Sequence, residues 1–276
     1  MANNYRFFDG GMGTMLQQLG LKIGECPEVL NVENPSVVKQ IHELYAGAGS
    51  DFITTNTFGG NKVRLKKTNY SVIEVVQKAL EIAISVVSMD RIALDIGPTG
   101  EFIEPYGDAT LEGIYDVFAE QISAAKDKAG LILIETMSDI NEMEMAIKAA
   151  KECSKLPIYC TFTFMENGRT LMGADVKTVT EFLNKQNIQV MGVNCSTGPE
   201  QMVSIIKEML KYSKVPVMAQ PNAGLPKLVD GIAVYDVTPQ QYAQQMRKLA
   251  QMGVSILGGC CGTTPEFIRE MVKEFR

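Results

Sequence analysis

Ser255-Ile256-Leu257-Gly258-Gly259-Cys260-Cys261-Gly262-Thr263-Thr264-Pro265 is a short strand-like run that ends in paired glycines and two adjacent cysteines. Glycines on both sides of the cysteines let the backbone turn sharply with no Cβ penalty, so two neighbouring sulfurs can face one point. Two ligands of a single metal would be arranged this way. The chemistry-bearing residues therefore sit where a strand ends, and the same arrangement recurs back toward the N-terminus.

Strand patterns are expected at 5–8, 51–55, 91–96, 131–134, 158–162, 189–193, 215–219 and 255–257. Amphipathic helical patterns fill 36–46, 71–87, 111–129, 139–153 and 239–252, with start signals at Asn34-Pro35, Ser138-Asp139, Gly198-Pro199 and Thr238-Pro239. Strands that alternate with helices pair in parallel, because each helix returns the chain to the same end of the sheet. Eight such units favour an α/β fold closed into a single (β/α)8 TIM barrel covering 1–276 as one domain, with an open doubly wound sheet as the alternative. In such a barrel the site is built at the C-terminal ends of the strands. Two connections on that face, 97–110 and 221–238, are too long to be plain turns.

Length agrees with this reading, since a barrel of about 250 residues uses most of a 276-residue chain. No stretch approaches the roughly 18–20 consecutive apolar residues of a membrane span. Met1-Ala2-Asn3-Asn4 also lacks the basic-then-apolar order of a secretion signal, so a cytoplasmic protein with no membrane partner is expected. Net charge is −6, and the one basic cluster, Lys62, Arg64, Lys66 and Lys67, reads as a solvated helix face, which argues against nucleic acid. Six cysteines in a chain of this size fit reduced thiols or metal ligands better than a disulfide scaffold. Cys26, Cys153 and Cys160 carry no motif, and the single histidine, His42, lies in a helical pattern and reads as structural.

Placed on the barrel, Asp9, Asn56, Glu135, Asn194, Cys195, Asn222, Cys260 and Cys261 all follow strands and gather on one rim. Three thiolates suit zinc, and a three-ligand set leaves one coordination position for a substrate. An ion already carrying three thiolates is a weak Lewis acid for hydrolysis but holds a fourth sulfur well, and coordination deprotonates a thiol whose pKa is otherwise about 8.5. The chemistry implied is S-alkylation. Two plainer readings stand beside it: a vicinal disulfide between Cys260 and Cys261, or small buried side chains at a strand end.

Asp9-Gly10-Gly11-Met12-Gly13-Thr14 is a glycine-rich turn leading into a helix. A dinucleotide fingerprint starting at Gly11 would need glycine at Leu16, and no phosphate-loop lysine follows. The helix N-terminus still offers amides to a carboxylate, while Asp9 and Glu135 suit an ammonium; a tight turn with an acid capping the helix is the alternative. A thiol with amino-acid ends, such as homocysteine, meets all of these requirements.

These blocks, together with Thr55-Asn56-Thr57-Phe58-Gly59, Asp95-Ile96-Gly97-Pro98-Thr99-Gly100, Gly192-Val193-Asn194-Cys195-Ser196 and Pro221-Asn222-Ala223-Gly224-Leu225-Pro226, closely resemble the homocysteine S-methyltransferase family over the whole length. Within that family the likeness is greatest to the homocysteine-binding module of cobalamin-dependent methionine synthases. The resemblance implies one zinc held by Cys195, Cys260 and Cys261. It implies an ammonium site at Asp9 and Glu135, and adds Gly10, Gly11, Thr136 and Asn194 to the substrate-facing set. It further implies methylcobalamin as the methyl donor, supplied with folate- and cobalamin-binding domains or subunits. S-methylmethionine or S-adenosylmethionine is the alternative donor, and a non-catalytic zinc–thiolate redox sensor the alternative of another class. Betaine fits less well, since the chain has no Trp for an aromatic cage.

Overall fold

The computed structural model describes residues 5–22, 24–225, 227–229 and 232–276. Its strands are β1 (Arg6–Phe7), β2 (Ile53–Thr54), β3 (Ile92–Ile96), β4 (Leu131–Met137), β5 (Ile158–Phe162), β6 (Val190–Asn194), β7 (Val217–Gln220), β8 (Lys227–Val229), β9 (Ile232–Val234) and β10 (Ile256–Leu257). Eight of them form one parallel sheet in the order β1-β10-β7-β6-β5-β4-β3-β2, with helices between them, so the fold is the TIM-barrel type rather than a doubly wound sheet.

No ladder joins β1 to β2. Their seam is closed instead by Phe7 O, which accepts from the Asp51 and Phe52 amides at 2.6 and 3.0 Å. The Asp51 carboxylate takes the Phe7 amide at 2.8 Å, and the Asp9 carboxylate takes both the Thr54 amide (2.8 Å) and the Thr54 hydroxyl (2.7 Å). Side chains of Asp51, Asp9 and Thr54 here share with two backbone bonds the work that a ladder does elsewhere in the sheet.

The period-two alternation of the strands separates two cores. Outward residues such as Ile92, Leu94, Ile132, Ile134, Met191 and Val193 pack under the helices in the larger cluster. Inward residues Phe8, Ala93, Leu131, Leu133, Val190, Met218 and Ile256, with Phe52 and Tyr159, fill the barrel as a separate apolar plug. Two positions further along the same faces, Leu133 gives way to Glu135, Ala93 to Asp95, Tyr159 to Thr161 and Met218 to Gln220. The interior therefore changes from apolar to polar along its axis.

The sequence expectations need four corrections. β4 continues through a register shift between Ile134 and Met137, so Glu135 and Thr136 lie within the strand, and Asn194 is the last residue of β6 rather than beyond it. The helix expected at 111–129 stops at Ala125, where Lys126 and Asp127 turn left-handed at φ 50° and 54°. The helix expected after the glycine turn is Met12–Gln18, while Val176–Leu183 has no counterpart among the helical patterns, and neither has the antiparallel β8–β9 hairpin inside the 221–238 connection. Asp9 does not cap the helix that follows it: the N-cap is Gly11, with no side-chain bond. By contrast, the start signals at Asp139 and Thr238 are seen as side-chain caps, the latter in a reciprocal capping box with Gln241. Met1–Asn4 and Pro226 lie outside the described residues.

Candidate metal and substrate site

Above the plug the rim loops enclose a cavity of about 340 Å³, lined among others by Asp9, Asp95, Glu135, Cys195, Cys260 and Cys261. Cys195 leaves the end of β6 at φ 60°, Ser196 follows at 58°, and across the cup Thr136 sits at 62°. Left-handed backbone at non-glycine residues costs about 1–3 kcal/mol each and persists only where the surroundings enforce it. Those surroundings are visible: the Cys195 amide donates to Gln220 O at 3.0 Å, the Cys260 amide to Pro221 O at 2.9 Å, and the Ala223 amide to Cys261 O at 2.9 Å. The loops after β6, β7 and β10 are thereby stitched into one unit. Gly259 is required by this packing, because a Cβ there would lie 2.4 Å from the Thr263 hydroxyl oxygen.

All six cysteines are free, so the vicinal disulfide is not formed. Ligand atoms of Cys195, Cys260 and Cys261 lie within 4.8 Å of one another, a cluster that could hold a metal ion, and Sγ of Cys195 is 3.9 Å from Sγ of Cys261. Hydrogen bonds from the Cys260 and Cys261 thiols pull Cys195 down to about 3, while their bonds to Cys195 push Cys260 well up and Cys261 up to about 12. Asn194 is locked beside it: Oδ1 accepts from the Thr136 amide (2.9 Å) and the Thr161 hydroxyl (2.8 Å), and Nδ2 donates to the Thr136 hydroxyl at 2.7 Å. The same Nδ2 reaches Sγ of Cys260 at 3.9 Å.

Four acids, Asp9, Glu28, Asp95 and Glu135, line the cup with the sulfurs. Desolvation raises Asp9 to about 7 against the opposing Thr54 hydrogen bonds, and raises Glu135 to about 8, helped by the charges of Cys195 and Asp9. Burial, then Glu135, Asp9 and Glu28, push Asp95 well above the usual carboxylate range. No Lys, Arg or His lines the cavity among the described residues, and the buried Asp95 Oδ1, Gln220 Oε1 and Asn222 Oδ1 have no hydrogen-bond partner. The cup offers acceptors in excess of donors, which suits a cation or a donor-rich ligand.

The structure brings the expected residues together: Asp9, Gly10, Gly11, Glu135, Thr136, Cys195, Cys260 and Cys261 all line the cavity, with Asn194 directly behind. Within the glycine turn the Gly11 amide is already engaged, donating to the Thr263 hydroxyl at 3.2 Å. Asn56 is tied to Pro27 O and Asn31 instead. His42 is fully buried in its helix, as expected. Glu28, Asp95, Gln220 and Tyr235 also line the cavity with no role assigned from the sequence. The available signal for Asp95 was a lone carboxylate in the otherwise apolar strand Ile92–Ile96; Glu28 comes from the short 3-10 turn Pro27–Val29 and Tyr235 from a loop, whose paths no local pattern reveals.

Comparison with known proteins places this geometry in context. Residues 6–275 match the family described as Homocysteine S-methyltransferase, and the chain belongs to that family. It is 29% identical over 98% of its length to the methionine synthase of Mycobacterium leprae, and 31% identical over 95% to that of Mycobacterium tuberculosis. The match covers 24% of each relative, so the chain spans about a quarter of their length. Among solved structures, the metallated form of the Escherichia coli homocysteine methyltransferase MmuM superposes with a TM-score of 0.82 at 19% identity, covering 98% of this chain and 96% of that one. At that identity the likeness speaks for the fold. No helix among the described residues is long and apolar enough to cross a membrane.

Proposed function

We propose that this member of the homocysteine S-methyltransferase family transfers a methyl group to the thiol of L-homocysteine, giving methionine, with 1–276 acting as one catalytic barrel. The observation that carries the reading is the cluster of three sulfurs within 4.8 Å of one another on the wall of an acidic cavity. Four sulfurs around a tetrahedral zinc with bonds of about 2.3 Å lie about 3.8 Å apart, close to the 3.9 Å between Cys195 and Cys261. The donor set fits one zinc per chain, held by Cys195, Cys260 and Cys261. When bound there, zinc supplies a Lewis acid that keeps a substrate thiol in its nucleophilic thiolate form.

The chain's own residues set the geometry. Asn194, fixed by Thr136 and Thr161, holds Cys260 in place. Asp9 and Glu135 face the substrate ammonium, and the Gly10–Gly11 turn with the first amides of Met12–Gln18 faces its carboxylate. The apolar plug keeps water out from below. In the transfer the donor–methyl bond breaks, the sulfur–methyl bond forms, and the thiol proton is lost.

Methylcobalamin carried on another domain or subunit is the donor we favour, in line with relatives that are methionine synthases about four times this chain's length. Folate- and cobalamin-binding partners and a cytoplasmic setting, where thiols stay reduced, belong to the same reading. A sulfonium donor, S-methylmethionine or S-adenosylmethionine, is favoured by one observation, the acid-lined cavity without a basic residue among the described residues. Incubating metal-loaded protein and homocysteine with each donor in parallel and measuring methionine decides the matter. Turnover with methylcobalamin is expected; turnover only with a sulfonium would replace the donor, and turnover with none would leave a zinc–thiolate sensor.

A further inference from the structure

Asp95 has the one carboxylate in the cup that combines near-complete burial with an oxygen bonded to nothing. It is 6% exposed, lines the cavity, and its Oδ1 has no hydrogen-bond partner. Its backbone is fixed by the segment that follows β2: its amide donates to the Thr55 hydroxyl at 3.0 Å, and its carbonyl accepts from the Thr57 hydroxyl at 2.8 Å. The side chain is therefore presented inward by a clamped strand. A buried, unpartnered carboxylate oxygen is costly in a folded protein unless a ligand satisfies it. Asp9 is in a different position, since each of its oxygens already accepts a hydrogen bond from Thr54 across the β1–β2 seam.

We infer that Asp95 is a specificity-determining residue of this site, a third carboxylate that accepts a hydrogen bond from the ammonium group of the amino-acid thiol. The inference deepens the proposed homocysteine reading and rests on it. An ammonium group has three N–H donors, and Asp95, Glu135 and Asp9 are three acceptors lining the same cavity. Asp95 and Glu135 lie on the inward faces of the neighbouring strands β3 and β4, where Asp95 pairs in register with Leu133, two positions before Glu135. Burial and the facing charges of Glu135, Asp9 and Glu28 make full ionisation of Asp95 unfavourable until a cation arrives. Asp95 thus separates amino-acid thiols from thiols that lack the amine.

The test uses the full chain loaded with zinc and compares homocysteine with 4-sulfanylbutanoic acid, which keeps the thiol and carboxylate but has no amine. Binding is read by calorimetry for wild type, Asp95→Asn and Asp95→Ser, with zinc content and thermal melts measured alongside. Homocysteine affinity is expected to fall about 10- to 100-fold in both variants, with the affinity for 4-sulfanylbutanoic acid changing less than about threefold and zinc content unchanged. Equal losses for both ligands, or no loss for homocysteine, overturn the inference while leaving homocysteine binding intact. If wild-type protein binds neither thiol, the homocysteine reading itself falls and the inference falls with it. A variant that fails to melt cooperatively is replaced in the comparison by the other, and failure of both to fold would make Asp95 structural.

Discussion

The lower and upper halves of the barrel interior come from the same strands at positions two residues apart, yet they obey opposite rules. Below, Phe8, Leu131, Leu133, Val190 and Met218 are ordinary buried hydrophobes in close contact. Above, Asp95, Glu135 and Gln220 continue the same inward faces, joined by three cysteines, unsatisfied acceptors and left-handed backbone at Thr136 and Cys195. The plug follows the rules of stability. The cup breaks them one after another and is held in place by its neighbours' hydrogen bonds, which is what a site prepared for a ligand looks like.

If the division is real, substitutions should sort cleanly. The largest effect on chemistry belongs to the cysteines: replacing Cys195, Cys260 or Cys261 by Ala should lower kcat/KM for methionine formation by about 1000-fold or more, with loss of stoichiometric metal and a melting temperature close to that of metal-free wild type. Stoichiometric zinc retained in the triple variant would break the assignment. In the plug, Leu133→Ala should cost about 2–5 kcal/mol in urea unfolding, while the folded protein still binds one metal ion per chain. Losing metal there would erase the distinction between the halves. Asn194→Ala leaves the plug and the three cysteines in place but removes the amide that reaches Sγ of Cys260, and should weaken metal affinity about 10- to 100-fold in a chelator competition. An unchanged affinity would make Asn194 a mere spacer.

The smallest effect is a pH dependence. Asp9 is raised from 3.8 to about 7 in the fold, so the folded state keeps a proton that the unfolded chain gives up. Its contribution is complete below about 3.8 and is lost as pH rises toward 7. His42 runs the other way: burial lowers it from 6.5 to about 4, so stability falls as pH drops through that window. Because the two overlap, metal-free wild type is compared with Asp9→Asn. The variant should gain stability relative to wild type between pH 4 and 7, and a constant difference across the range would show that Asp9 titrates normally.

Much of this was readable from residue order. Eight alternating units gave the barrel, since strand–helix repetition is local and periodic, and residues following strands converged on the rim because parallel strands all end on one side. Cys195 could be joined to Cys260 and Cys261 only through that topology. What escaped was non-local. The Asp9 contact across the seam depends on how β1 meets β2, 45 residues away in sequence, and an acid after a strand looks the same whether it caps a helix or bridges a barrel. Asp95 hid inside an apolar strand until the inward face was known. The β8–β9 hairpin lies in a connection whose length marks it as functional, and Asp230-Gly231 between its two apolar runs is the local hairpin signal in the sequence.

The central claim is that the upper cup holds a metal whose remaining position is taken by the substrate sulfur. X-ray absorption at the zinc edge, recorded on the metal-loaded chain before and after saturation with homocysteine, tests it most directly. The account predicts a shell that gains one sulfur, from the three of Cys195, Cys260 and Cys261 to four. An unchanged shell in protein shown by calorimetry to have bound homocysteine would contradict it.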